Sequence, residues 1–225
     1  MFILTPLSIF ASLIIDMGIT ERKEKEKKDL HKLILQAAME TFLDKGYEDI
    51  SIRTIAEKIE YSPTTIYLYF KDKDSILLAL HQEGFRLMNT KMQVLEYISD
   101  PFDRLKAMGR IYIDFALENS KLYDLMFIRQ APMKALEFED EDWKEGMIAF
   151  EGLKSAVQEC VNAGYFTFKD IEATAFLIWA SMHGMCALQI GQRCIGVISE
   201  ENRTTIIQKG FQSFLELLEC SKQKK

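Results

Sequence analysis

Residues 51–70 read SIRTIAEKIEYSPTTIYLYF, a stretch dense in hydroxyl and aromatic side chains. Hydroxyls exchange hydrogen bonds with phosphates and base edges, and a helix carrying them on an outward face can enter a major groove. Ser51 suits the cap of a short helix with Ile52, Ile55, Ala56 and Ile59 on one side. Ser62-Pro63 suits the opening of a second, a cap followed by proline at the first helical position, with Ile66 and Phe70 as anchors. Helix, tight turn and second helix make a helix-turn-helix. Helix pairs of this kind also occur in proteins that never meet nucleic acid, so the pattern alone leaves both readings open.

A second set of side chains could bind rather than react. Met88, Met92, Phe102, Met108, Tyr112, Phe115, Tyr123, Met126, Phe127, Met147, Phe150 and Trp179 are soft and aromatic groups spread over the middle of the chain. Methionine adapts to irregular apolar shapes, so they could line a pocket for a hydrophobic ligand. Met88, Met92, Met108, Tyr112, Met126, Phe127, Phe150, Trp179 and His183 are the candidates taken forward, with core packing as the alternative for each.

Covalent and metal chemistry finds no support. There is no GxSxG, glycine-rich phosphate loop or HExxH, and His31, His81 and His183 lie far apart. Cys160, Cys186, Cys194 and Cys220 show no CxxC spacing and read as reduced thiols of a cytoplasmic protein. Glu137, Glu139, Asp140, Glu141 and Asp142 read as one solvated polar run. The expectation is no enzyme, no cofactor and no metal.

The elements that position these residues are helical nearly throughout. Leu30, Leu33, Ile34, Ala37, Ala38 and Phe42 make the stripe of an amphipathic helix over 27–45, closed by Gly46. Two short helices follow, then a long one over about 74–98. Further helices are expected near 101–118, 120–129, 141–163, 170–191 and 201–219, and alternation of period two is confined to 47–52 and 165–168. The run ERKEKEKK at 21–28 is a charged helix start or a frayed tail. Residues 1–15 carry no charge and are too short to span a bilayer. The preferred reading starts the protein at Met17, with a membrane-associated N-terminus as the alternative. Residues 173–192 are uncharged over a spanning length, yet Thr174, Ser181, His183, Gln189 and Gln192 suit a helix buried among protein helices.

The combination AAMETFLDKGY, IRTIAEKI, SPTTIYLYF and KDKDSIL over about 31–80 resembles the N-terminal domain of the tetracycline-repressor family of bacterial transcription regulators. WASMHGMCALQ at 179–189 is similar to a Trp…His-Gly signature of some C-terminal domains of that family. The resemblance implies an all-α fold: a three-helix helix-turn-helix domain, then a larger helical ligand-binding and dimerisation domain. The expected division is a tail at 1–20, the DNA-binding domain at 21–75 and the ligand-binding domain at 76–225. It implies that Ser51 caps a helix near a phosphate, that Thr64, Thr65 and Tyr67 face DNA, and that Lys73 holds a phosphate; Arg53 is a further phosphate contact. Leu68 stands where the family often has histidine, and Glu60 at a turn where glycine is usual, which predicts a strained positive φ. The implied partners are a palindromic double-stranded operator, a small-molecule inducer and a second copy docked through 170–191 and 201–219. A helical ligand-binding or interaction protein without DNA binding is the alternative.

Charge fits an operator reader better than a polyanion sponge. The whole chain carries a net charge of -6, but residues 21–75 hold 11 Lys+Arg against 12 Asp+Glu, so the excess acid lies mostly elsewhere. The expected recognition helix has neither Lys nor Arg, so phosphate attraction rests on a few placed cations, hydroxyls and helix N-termini.

Overall fold

The computed structural model describes residues 6–139 and 143–220. The chain divides into two compact units, one through Leu80 and one from His81. No strand forms among the described residues, and the alternating pieces at 47–52 and 165–168 lie in loops and helix ends.

The first unit contains α1 (Pro6–Lys45), α2 (Ile52–Lys58), α3 (Pro63–Tyr67) and the start of α4 (Lys73–Met92). Helix α1 begins well before the expected Lys27. Residues 20–29 are exposed, so no apolar stripe announces that part of the extension; the strong helix propensity of the Glu/Lys run at 21–28 accounts for it. Of the expected tail at 1–20, residues 1–5 lie outside the described residues and the rest are helical. Gly46 stops α1 at φ 89, its N–H bonding the Phe42 carbonyl at 2.8 Å. Ile34, Ala38, Ile55, Ala56, Ile66, Ile76 and Leu77 are fully buried in this unit.

The second unit begins within α4 and continues through a 3-10 turn at Gln93–Tyr97. Then come α5 (Pro101–Glu118), α6 (Ser120–Phe127), α7 (Ala131–Glu139), α8 (Lys144–Asn162), α9 (Ile171–Ile190) and α10 (Ile206–Cys220). Asp100 and Asp170 cap α5 and α9 by accepting from Asp103 N at 2.8 Å and Ala173 N at 2.9 Å. Gly164 at φ 79 ends α8, with Gly164 N on the Val161 carbonyl and Tyr165 N on the Cys160 carbonyl, the paired bonds of a Schellman motif. Helix α7 is absent from the sequence expectation, which took Pro132 as a boundary; the proline sits in the first turn, where it starts a helix instead.

Phe102, Leu105, Val157, Cys160, Phe166, Ala175, Ile178 and Leu218 form one buried cluster contributed by α5, α8, α9, α10 and the 165–168 loop. By length and composition α9 could cross a membrane. Here it packs in a helical bundle, burying Thr174, Ala175, Ile178, Met182 and Cys186. Its other side leaves Phe176, Leu177 and Leu188 exposed.

Candidate functional site

The turn between α2 and α3 is built by local hydrogen bonds. Ser51 Oγ accepts from Thr54 N at 3.0 Å and Ser62 Oγ from Thr65 N at 3.2 Å, so each short helix has its N-cap. At the end of α2, Tyr61 N reaches the Ala56 carbonyl at 3.0 Å and Glu60 N the Glu57 carbonyl at 3.3 Å. Glu60 therefore occupies the left-handed position of a Schellman motif, at φ 59.

Thr64 is exposed, and Tyr67 and Leu68 are 57% and 75% exposed, so α3 turns these side chains to solvent while Ile66 is fully buried. Thr65 differs from its neighbours: its hydroxyl lies 2.9 Å from Ser62 Oγ, inside the cap. Arg53 is exposed on α2 and pairs with Glu57 at 3.0 Å. Lys73, at the start of α4, has its ammonium 4.4 Å from the centre of the Tyr47 ring and 3.4 Å from the Glu48 carbonyl. Tyr47 thus joins the set as the residue that holds Lys73 in place. Its sequence signals are its position after the Gly46 stop and its place at the end of the AAMETFLDKGY motif. Tyr69 is half-buried and packs its ring near His31.

The second unit holds a cavity of about 1000 Å³ that opens to solvent, at the upper end of the usual range for ligand pockets. Its wall includes Met88, Met92, Met108, Tyr112, Phe127, Phe150 and Trp179. Two other candidates do not line it. Met126, next to Phe127 on α6, points elsewhere and covers Gly84, whose missing Cβ would lie 2.5 Å from the Met126 sulfur. His183 sits behind the wall, its Nδ1 2.7 Å from the Tyr123 hydroxyl. Sequence reading missed Phe85, Asn89, Gln93 and Glu96, which also line the cavity. Their spacing with Met88 and Met92 is one helical stripe continued into the 3-10 turn, a signal the Met and aromatic inventory passes over.

A hydrogen-bonded chain runs from the wall inward. Trp179 Nε1 donates to Tyr112 Oη at 3.3 Å, Tyr112 Oη lies 2.9 Å from Tyr123 Oη, and Tyr123 Oη meets His183 Nδ1. Burial pushes both tyrosine hydroxyls up and His183 down from their ordinary values, so all three stay neutral near pH 7. His81, fully buried, stacks near Phe85 and Trp143, and burial holds it down to about 4. Charged groups stand elsewhere on the wall: Glu96, Asp170, Glu172 and Arg104. Arg104 donates to the carbonyls of Ile98 and Ser99 and pairs with Glu159. Among the described residues no group of three His, Cys, Asp or Glu is placed to hold a metal ion.

Residues 34–80 match the family described as bacterial regulatory proteins, tetR family, and residues 105–207 match a tetracyclin repressor-like C-terminal domain. The chain belongs to the tetR family.

Among relatives of this tetR-family regulator, the fatty acid metabolism regulator protein of Bacillus subtilis (strain 168) is 37% identical over 59 residues, 26% of this chain and 30% of that protein. The HTH-type transcriptional activator FasR of Mycolicibacterium smegmatis is 32% identical over 95 residues, 42% of this chain and 43% of its own length. The matches thus span less than half of either curated relative. The solved structure of the fatty acid degradation regulator FadR from Bacillus halodurans shares the fold, with a TM-score of 0.64 at 20% identity over 82% of this chain and 94% of that one. Within the tetR-family match α2 and α3 are the helix-turn-helix, and Glu60 takes the positive φ expected of it.

Proposed function

We propose that this tetR-family regulator is a cytoplasmic repressor that binds a palindromic operator as a homodimer and releases it when a small hydrophobic inducer enters the cavity. The observation that carries the reading is α4, one continuous helix that bears Lys73 at its start and the cavity residues Phe85, Met88 and Met92 farther along. A ligand that displaces the cavity part of that helix acts on the helix that begins beside the helix-turn-helix.

In this reading Thr64 and Tyr67 meet base edges, Lys73 and Arg53 meet phosphates, and Ser51 presents the α2 N-terminus to the backbone. Thr65 contributes through its capping bond. The dimer forms through α9 and α10. On α10, Ile207, Phe211, Leu215 and Leu218 are buried within their own unit. The exposed side chains of these helices instead include Phe176, Leu177, Ala180 and Leu188 on α9 and Ser213 and Leu217 on α10, with Gly184 and Ile206 half-buried beside them. Small residues among them let paired helices approach closely in a four-helix arrangement. The apolar wall and the names of the relatives support an inducer with a long apolar part.

The test is a gel shift at fixed salt with DNA flanking the protein's own gene, comparing wild type with Tyr67→Ala and Lys73→Ala. Both variants are expected to lose about tenfold or more in affinity. Unchanged affinity in both would remove the site assignment, and a monomer by light scattering at micromolar concentration would remove the dimer.

A further inference from the structure

The chain Trp179–Tyr112–Tyr123–His183 ends in an apolar wall, and its direction is constrained. Two hydroxyl oxygens 2.9 Å apart, as in Tyr112 and Tyr123, need one hydrogen between them. The same holds for Tyr123 Oη and His183 Nδ1 at 2.7 Å, while the 3.5 Å approach of Tyr112 Oη to the same Nδ1 is too long to compete with it. Trp179 Nε1 can only donate, so Tyr112 accepts from it at 3.3 Å. In one direction Tyr112 donates to Tyr123, Tyr123 donates to Nδ1, and neutral His183 carries its hydrogen on Nε2. In the other, Nδ1–H donates to Tyr123, Tyr123 donates to Tyr112, and the Tyr112 hydrogen is turned out into the cavity. The Phe127 ring stands 5.9 Å from the Tyr112 ring, and Met108 and Met182 line the same cavity; none of these side chains carries an oxygen or nitrogen. The first direction therefore satisfies every hydroxyl of the empty site.

The geometry points to Tyr112 as the polar anchor of the cavity, donating to an uncharged carbonyl on an otherwise apolar ligand, with His183 changing tautomer when that contact forms. This rests on the ligand-binding reading of the cavity. When Tyr112 turns its hydrogen to the ligand, the short Tyr112–Tyr123 contact keeps a hydrogen only if Tyr123 reverses. His183 Nδ1 then loses its donor and must supply one. The proton balance closes without any redox partner: Nε2 gives its proton to water, Nδ1 takes one from water, and both hydroxyl hydrogens rotate about their own C–O bonds. The ligand group is uncharged because the charged part of the wall is acidic. Glu96, Asp170 and Glu172 face the cavity, and the guanidinium of Arg104 is already engaged by Glu159 and by the Ile98 and Ser99 carbonyls. A carboxylate would meet more repulsion than attraction there.

The experiment uses 1-aminoanthracene as a fluorescent cavity probe, displaced by 2-octanone, octane or octanoate. In the full-length protein Tyr112→Phe is expected to weaken 2-octanone by up to about tenfold, the loss of one buried hydrogen bond, and to leave octane within about twofold. Octanoate is expected to bind wild type less tightly than 2-octanone. In parallel, nitrogen-15 spectra of the wild-type imidazoles, assigned with His183→Gln, should show the hydrogen of His183 on Nε2 without ligand or with octane, and on Nδ1 with 2-octanone. Equal loss of ketone and hydrocarbon binding, octanoate tighter than the ketone, or an unchanged His183 tautomer would overturn the inference while leaving the cavity reading intact. If 1-aminoanthracene finds no site in the wild type, the cavity reading fails and the inference falls with it.

Discussion

Glu60→Gly should stabilise the protein although it removes a side chain. Glu60 stands at φ 59, held there by the two backbone bonds that close α2, from Tyr61 N to Ala56 and from Glu60 N to Glu57. A side chain with a Cβ loses about 1–2 kcal/mol in that conformation relative to the right-handed one. Glycine removes the strain but adds unfolded-chain entropy of about 0.4–1 kcal/mol. The exposed carboxylate adds nothing to offset, so the net expectation is a gain of about 0.5–1 kcal/mol. Heat should report it as a rise in melting temperature of about 1–3 °C for a chain of this size, and amide hydrogen exchange as slower opening around Ile55 and Ala56. Glu60→Ala is the control, because it removes the same charge and keeps the Cβ; its stability should stay within about 0.5 kcal/mol of wild type. Equal stabilisation by Gly and Ala would show that charge, not backbone strain, governs the position. No change with Gly would show that the turn carries no strain to release.

The mirror experiment is Gly46→Ala, where the new Cβ meets nothing within 4 Å but φ is 89; a loss of about 1 kcal/mol in a urea melt is expected from strain alone. Gly109→Ala should also destabilise, for the opposite reason: its Cβ would lie 2.8 Å from the Phe211 ring, and the gain in helix propensity only partly offsets moving a buried ring. His81 is neutral when buried and protonates near 6.5 when unfolded, so its contribution is present above pH 6.5 and lost as pH falls toward about 4. That loss is worth about 3 kcal/mol, and His81→Leu should flatten the stability curve over this window relative to wild type. Cys160 and Cys186 are buried, with thiols pushed up to about 12; a thiol reagent should leave both unmodified until urea unfolds the chain.

Much of the first unit was legible because its signals are local. Ser51 and Ser62 act within three residues of themselves, Gly46 stands where a helix stops, the positive φ of Glu60 was implied by the family resemblance, and the burial of Ile55 and Ile66 follows a short-range pattern. The run of α1 through residues 20–29 and the existence of α7 were not legible, since an exposed charged helix has no apolar stripe and Pro132 marks a boundary and a first turn equally well. The cavity was legible only as an inventory. Met126 and Phe127 are neighbours of similar character, and one faces the cavity while the other covers Gly84.

By itself the sequence determined the all-α class and the helix-turn-helix, because those depend on spacing within a few turns of one chain, and its resemblance over about 31–80 pointed to the family. Only the tertiary structure decided which side chains share a wall. It placed His183 behind Tyr123 and turned Ile207, Phe211, Leu215 and Leu218 of α10 inward. It also joined four polar groups from α5, α6 and α9 into one directed chain. Such contacts span up to 71 residues of sequence, as between Tyr112 and His183, and no local periodicity encodes a hydrogen bond between helices.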